Sequence, residues 1–274
     1  MPGLIFDCDG VLADTEQHGH LPAFNAAFEK FHLPVRWDVP TYAEKVKIGG
    51  GKERLASILT DKFVGEAGLP IDAEGQREVI AQWHLAKTAV YTDLIDSGAL
   101  PARPGIARIV AEAHAAGWKL AVASTSAEPS VRAVLRHAVG ETLAAEFQVF
   151  AGDVVPRKKP APDIYSLAVS KLGLDPDECV VVEDSEIGLR AATSGGLRTV
   201  VTVSGFTKDE NFSGASLVVS SLGDPNPGEQ VTVMSDPLHL GPLSFVDLHL
   251  FSTILNAARP QRTEAVATPE LEKK

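Results

Sequence analysis

Cysteine is almost missing from this 274-residue chain: there are two, Cys8 and Cys179, each inside an apolar run. They do not form the spaced pairs that a disulfide framework or a zinc site requires, which excludes both and points to a reducing compartment. No basic run occurs, and 25 Lys and Arg against 36 Asp and Glu leave a formal charge of −11. That balance argues against a nucleic-acid binder, whose phosphate contacts need a basic face. No apolar run reaches the roughly 18 residues of a membrane span. A buried-strand pattern begins by Leu4, without the pattern of a signal peptide before it. The expectation is a monomer in the cytoplasm, or in the plastid stroma where a transit peptide has been removed.

Aromatic residues are also few, at 6%, but 45% of the chain is hydrophobic against 22% charged, enough for a sizeable core and too apolar for disorder. Short apolar runs bounded by turn residues alternate with helical stretches, which predicts a parallel sheet covered by helices. Strands are expected at residues 4–8, 120–124, 149–151, 179–183, 199–203 and 217–219. Ile106, Ile109, Val110 and Ala113 recur at helical spacing before the second strand, and Gly117 follows where that helix would end. Between the first two strands lies far more chain than the dozen or so residues a crossover needs. Its apolar positions (Phe24, Ala27, Phe28, Phe31, then Val79, Ile80, Trp83, Val90, Tyr91, Leu94) have helical spacing. The organisation predicted is an α/β core of residues 1–14 and 97–258 with an all-helical insertion at 15–96. Gly98, Pro101 and Pro104 mark the exit linker. Residues 223–242, rich in proline and glycine, read as irregular, 245–255 as a short helix, and 259–274 as a flexible tail.

Chemistry concentrates at the ends of the expected strands. Asp7-Cys8-Asp9-Gly10 ends the first, where two carboxylates can turn into the crevice beyond the sheet, although Asp and Gly also make plain turns. Ser124 ends the second, either as a donor to an anion or as the N-cap of the next helix. Lys158 and Lys159 follow the third, and Pro160 and Pro162 stiffen a loop that otherwise would read as solvated. Glu183-Asp184-Ser185 ends the fourth as an acidic pair that is costly to bury without a cation.

These four elements, in this order and each after a hydrophobic strand, resemble the haloacid dehalogenase superfamily of phosphotransferases. The resemblance implies a Rossmann-like parallel sheet with helices on both faces plus an inserted all-helical cap of the C1 type. It also implies that Asp7 is the nucleophile that becomes an aspartyl phosphate and that Asp9 is the general acid and base. Ser124 and Lys159 would hold the phosphoryl group, and Mg²⁺ would be bound by Asp7, the Asp9 carbonyl and Asp184, with Glu183 as a possible further ligand. Physically, a carboxylate attacking a phosphate dianion needs Mg²⁺ and a lysine to offset the repulsion.

Within the insertion, Gly49-Gly50-Gly51-Lys52-Glu53-Arg54 is not a P-loop, because no Ser or Thr follows the lysine. Gly50, Gly51, Lys52 and Arg54 are either an anion-binding turn or a flexible, solvated one. Lys87 lies on the apolar stripe with Trp83 and Val90, and either snorkels at its edge or faces the cleft. The stretch Lys87-Thr88-Ala89-Val90-Tyr91 resembles the lysine-bearing cap segment of β-phosphoglucomutase and its relatives, while the start Asp7-Cys8-Asp9-Gly10-Val11-Leu12, Leu21-Pro22-Ala23-Phe24-Asn25, Ile48 through Arg54, Ser124-Thr125-Ser126 and Lys159-Pro160-Ala161-Pro162 look most like the CbbY-like proteins. That likeness implies a small phosphorylated sugar as substrate, in particular a ketose bisphosphate such as xylulose 1,5-bisphosphate, with Thr125, Ser126, Glu16 and His20 among the substrate contacts. A mutase resembling β-phosphoglucomutase is the alternative, and a non-enzymatic receiver-like phosphoacceptor a remote one. One departure stands out: between Glu16 and Phe24 the chain is a residue longer than the family pattern, which puts Gly19 near an expected histidine and displaces His20. His18 and His20 as a metal pair lack a third ligand.

Overall fold

The structure, a computed structural model, describes residues 1–98, 100, 102–226 and 228–257. Strand β1, Gly3–Phe6, is buried on both sides: Leu4 and Phe6 join one hydrophobic cluster and Ile5 the other, as the two-residue period of a strand requires. It pairs in parallel with β2, Lys119–Ser124, and β4, Cys179–Glu183. With β3 (Phe147–Ala151), β5 (Arg198–Thr202), β6 (Leu217–Val219) and β7 (Val233–Ser235), the sheet order is β3-β2-β1-β4-β5-β6-β7. All pairs are parallel except β6 with β7. Helices α6 (Ile106–Ala115), α7 (Glu128–Ala144) and α10 (Leu248–Asn256) cover one face, and α8 (Asp163–Leu172) and α9 (Glu186–Ser194) the other. Each fully buried Leu, Ile or Phe in these layers contributes about 1.5–3 kcal/mol.

The strand order reverses at β1, since the chain builds β2 and β3 on one side and then crosses to β4 on the other. Such a switch point opens a crevice at the carboxyl ends of the strands. The residues that end β1, β2 and β4 therefore meet there.

Between β1 and α6 every element is helical: a π-helical turn, Glu16–His20, then α1 (Leu21–Lys30), α2 (Val39–Val46), α3 (Gly51–Ala56), α4 (Asp61–Glu66) and α5 (Ala73–Asp96). Phe24, Phe28, Trp37, Tyr42, Leu55 and Trp83 form a separate core for this cap. The connections leaving and re-entering the sheet touch each other, with Ala13 bridged to Ala102 and the Arg103 N–H donating to the Leu12 carbonyl at 3.0 Å.

Two expectations need correction. Residues 223–242 are not wholly irregular, because Val233–Ser235 adds an edge strand to β6. Three residues between turn-rich segments carry too little period for a strand to be read, and backbone pairing rather than side-chain pattern forms it. The short helix at 245–255 begins later, at Leu248, where the Asp247 carboxylate caps the Leu250 N–H at 2.8 Å. The expected tail at 259–274 and Pro101 of the exit linker lie outside the described residues.

Arg103, which the sequence places in a linker, is a structural keystone. Its guanidinium donates to the carbonyls of Gly10, Thr202, Val203 and Ser220, tying the DxD loop to the ends of β5 and β6. Arg103→Ala leaves several buried carbonyls without donors and should cost about 3 kcal/mol or more, read as a lower urea midpoint. A loss below about 0.5 kcal/mol would show that water replaces it freely.

Candidate active site

The crevice brings together Asp7, Asp9, Ser124, Lys159 and Asp184 from the core and Glu16, His20, Gly50, Gly51, Arg54 and Lys87 from the cap. Thr125 and Ser126 line it as well. Asp7 continues β1, its N–H bonded to the Val182 carbonyl at 2.9 Å. The Lys159 ammonium donates to Asp7 Oδ1 at 2.6 Å and Glu183 Oε1 at 2.7 Å, so the loop lysine is buried and fixed. Ser124 is not the cap of α7, which starts after Ala127; its Oγ accepts the Ser126 N–H at 3.1 Å, leaving its own hydrogen to donate into the crevice.

Two glycines allow the acids to sit this close. Gly10 has φ +76°, and a Cβ there would lie 2.0 Å from Asp184 Oδ2. At Gly188, a Cβ would lie 1.9 Å from Glu183 Oε1. Neither position accepts a side chain while the carboxylate stays in place.

Asp7, Glu183 and Asp184 each offer an oxygen within 4.8 Å of the others, a donor set of hard oxygens that suits Mg²⁺. Burial pushes Asp7 up to about 7, with the Glu183 and Asp9 charges adding to it against the opposing pull of Lys159. Burial, then Glu183 and Asp7, push Asp184 well above the carboxylate range. This excess of buried negative charge over one ammonium is the observation that fits a divalent cation. Glu183 itself is already saturated: Oε1 accepts Lys159 and Tyr165, and Oε2 accepts the Asp184 N–H and the Ser185 hydroxyl. Asp7 and Asp184 are the carboxylates that would hold a cation.

Asp9, two residues from Asp7, has the opposite environment. Its Oδ1 accepts the Thr15 hydroxyl at 2.7 Å, His20 Nε2 at 2.7 Å and the Tyr91 hydroxyl at 3.1 Å, and its Oδ2 accepts the Ser126 hydroxyl. Burial opposes its charge, but His20 and the hydroxyls hold it far below the usual carboxylate range.

Between Glu16 and Phe24 the chain forms a π-helical turn, in which the Leu21 N–H reaches back to the Glu16 carbonyl. The wider turn buries His20, stacks it on Tyr91 with ring centroids 4.0 Å apart, and sets it between Asp9 and Lys87. Lys87 does not snorkel. It is buried, lies 2.6 Å from His20 Nδ1, and burial brings it down to about 8. His18 stays exposed and takes no part.

The basic motif of the cap divides. Arg54 is locked in a two-pronged pair with Glu16 (3.0 and 3.1 Å), and Tyr42 donates to the same carboxylate at 2.5 Å. Lys52 leaves the crevice and pairs with Asp153, while Lys158 bonds Glu53 at 2.6 Å. These charges span the seam between cap and core, so Lys52 serves closure rather than substrate contact in this arrangement.

Thr15, Tyr91, Tyr165, His84 and Thr88 complete the site and escaped the sequence reading. His84, Lys87, Thr88 and Tyr91 share one face of α5 by their three- and four-residue spacing, so Lys87 could have pointed to the others.

The raised carboxyls set a pH signature. Native Asp7 and Asp184 keep protons that the unfolded chain gives up near pH 4, so without metal, stability falls as pH rises from about 4 to about 7. Asp9 and Glu16, both depressed, stay ionised across that window and do not offset it. Mg²⁺ needs the ionised carboxylates, so it should raise Tm more at about pH 7.5 than at about pH 5 in calorimetric scans. Equal shifts at both would refute the assignment of the ion to these acids.

A model of the haloacid dehalogenase-like hydrolases matches residues 1–196. The chain is 48% identical over 222 residues to the CBBY-like protein of Arabidopsis thaliana, covering 81% of this chain and 69% of that protein. It is similar to the solved structure of CbbY from Rhodobacter sphaeroides in complex with phosphate, with TM-score 0.72, 40% identity, and coverage of 81% and 95% of the two chains. A mutant of that CbbY in complex with xylulose-(1,5)bisphosphate matches with TM-score 0.72 and 39% identity over the same shares. These likenesses replace the receiver-like alternative, and the chain belongs to the haloacid dehalogenase-like hydrolases, as a phosphatase bearing an inserted helical cap.

Proposed function

We propose that the protein is a Mg²⁺-dependent sugar-phosphate phosphatase that works through an aspartyl phosphate, with a ketose bisphosphate such as xylulose 1,5-bisphosphate as substrate. The observation that carries this reading is the pair of aspartates two residues apart in opposite environments, Asp7 against Lys159 and Asp9 among four donors. Lys159 engages only one Asp7 oxygen, and Asp9 stands two residues on with Oδ2 bonded to Ser126 alone, which sets a carboxylate for attack beside one for proton transfer. The bound bisphosphate of the Rhodobacter relative supports the substrate.

When bound, Mg²⁺ supplies the charge that lets an anionic nucleophile approach a phosphate dianion. Lys159 holds one Asp7 oxygen and leaves the other to attack phosphorus, with Ser124 donating to a phosphoryl oxygen. Asp9 must first take up a solvent proton as substrate binds, gives it to the departing sugar oxygen and then, ionised again, takes one from the water that opens the aspartyl phosphate. The donors around Asp9 favour the ionised form, which suits the second half of the cycle. Oδ2 has a single partner, Ser126, and is the oxygen that can exchange it for the sugar oxygen. Arg54, Lys87 and the Gly50-Gly51 turn face the rest of the substrate from the cap.

A screen of sugar mono- and bisphosphates with Mg²⁺ tests the reading. Xylulose 1,5-bisphosphate should give stoichiometric inorganic phosphate with kcat/KM at least about tenfold above that for β-glucose 1-phosphate. Isomerisation of β-glucose 1-phosphate without phosphate release would instead establish a mutase. Asp7→Asn should lower kcat by about 10³-fold or more, measured as phosphate release, and full turnover in that variant would remove the nucleophile.

A further inference from the structure

Lys159 has three ammonium hydrogens and three acceptors around it: Asp7 Oδ1 at 2.6 Å, Glu183 Oε1 at 2.7 Å and the Tyr165 hydroxyl at 2.9 Å. Tyr165, on α8, is fully buried, and its own hydrogen goes to Glu183 Oε1 at 2.5 Å. The three groups close a triangle in which every polar atom of Lys159 and Tyr165 is used. The lysine nitrogen also sits 4.7 Å from the Tyr165 ring centroid.

Packing alone does not account for the hydroxyl. The ring belongs to the buried apolar cluster that includes Ile5, Ala121, Ala168 and Val181, surroundings that a phenylalanine would satisfy equally. A buried hydroxyl is costly unless it is bonded, and here both of its bonds go to groups of the reaction site. A lysine side chain has a flexible four-carbon stem. With only two carboxylates to choose between, the ammonium would be free to settle against Glu183, whose negative charge is the more deeply buried. Tyr165 opposes this in two ways: it offers a third acceptor, and it donates to the same Glu183 oxygen, which weakens that oxygen's hold on the lysine.

We propose that Tyr165 is a positioning residue, which acts through Lys159 by keeping the ammonium on Asp7. The proposal rests on the reading of Lys159 as the group that holds the transferring phosphoryl, and it adds a reason why that lysine is correctly placed before substrate arrives. The α8 tyrosine then belongs to the reaction site although it neither lines the crevice nor touches the sugar.

The test is Tyr165→Phe in the full chain, assayed with Mg²⁺ on the best substrate of the screen. The expected result is a fall in kcat of about tenfold with KM and the half-saturating Mg²⁺ concentration within about twofold of the parent. A merely structural role would lower Tm or active fraction and leave kcat per folded site unchanged, which overturns the proposal. The coupling gives a second reading: in a Lys159→Arg background, whose planar guanidinium cannot occupy the same triangle, adding Tyr165→Phe should change kcat less than about twofold. A full tenfold effect in both backgrounds would show that Tyr165 acts independently of the lysine. Turnover surviving in Asp7→Asn is a separate result, which strikes the phosphatase reading itself, whereas a fully active Tyr165→Phe strikes only the role of the hydroxyl.

Discussion

The contact between Lys159 and Asp7 is the constraint around which the rest is arranged. Three carboxylates, Asp7, Glu183 and Asp184, lie at the ends of adjoining strands, and one ammonium answers them. Burying such a cluster is unfavourable unless geometry is tight and remaining lone pairs are filled. The sheet supplies the tightness, because β1 and β4 are hydrogen-bonded neighbours in register, Phe6 opposite Val182. Gly10 and Gly188 give the acids room, and the backbone and hydroxyl of Ser185 fill Glu183. Arg103 ties the strands' far loops so that this arrangement does not spread.

The cap depends on the same acids from the other side. His20 and Tyr91 come from the cap and end on Asp9, so the cap's position is written into the environment of Asp9. Two further links hold it: Phe206, from the loop after β5, meets Tyr42 edge-on at 5.7 Å, and the Lys52, Asp153, Lys158, Glu53 charges cross the seam. The exposed ion pairs are individually weak, so they add little to what holds the cap in place. A cap displaced from the core would take three of Asp9's neighbours with it: His20, Tyr91 and, in the linking segment, Thr15. On the proposed reading, closure of the cap would then also set Asp9 for proton transfer.

Much of this was legible in the sequence because the core obeys local rules. Apolar strands ending in Asp, Ser and Glu-Asp place their side chains at one edge of a parallel sheet whatever the details, and the excess chain after Asp9 announces an insertion. What stayed hidden depends on contacts between distant segments. Arg103 looks like linker because its four carbonyl partners come from three other parts of the chain. Arg54 and Lys52 look alike in a basic motif, yet Glu16 and Asp153, distant in sequence, send one into the crevice and the other to the seam. His20 reads as out of step with the family pattern, whereas the π turn of residues 16–20 buries its ring against Asp9. Tyr165 reads as core, and only its hydroxyl shows otherwise.

The opposed environments of Asp7 and Asp9 also reconcile an acidic protein with an anionic substrate. Net charge of −11 acts at long range, where about 8 Å of physiological salt solution screens most of it. Inside the crevice the relevant quantity is how each acid is compensated. Asp9 is fully compensated by donors and stays ionised on its own. Asp7 is not: burial, with the Glu183 and Asp9 charges added, pushes it up to about 7 against the pull of Lys159. On the proposed reading, its reactivity then waits on added positive charge. The acidic surface and the anion site are thus separate problems, one of long range and one of local compensation.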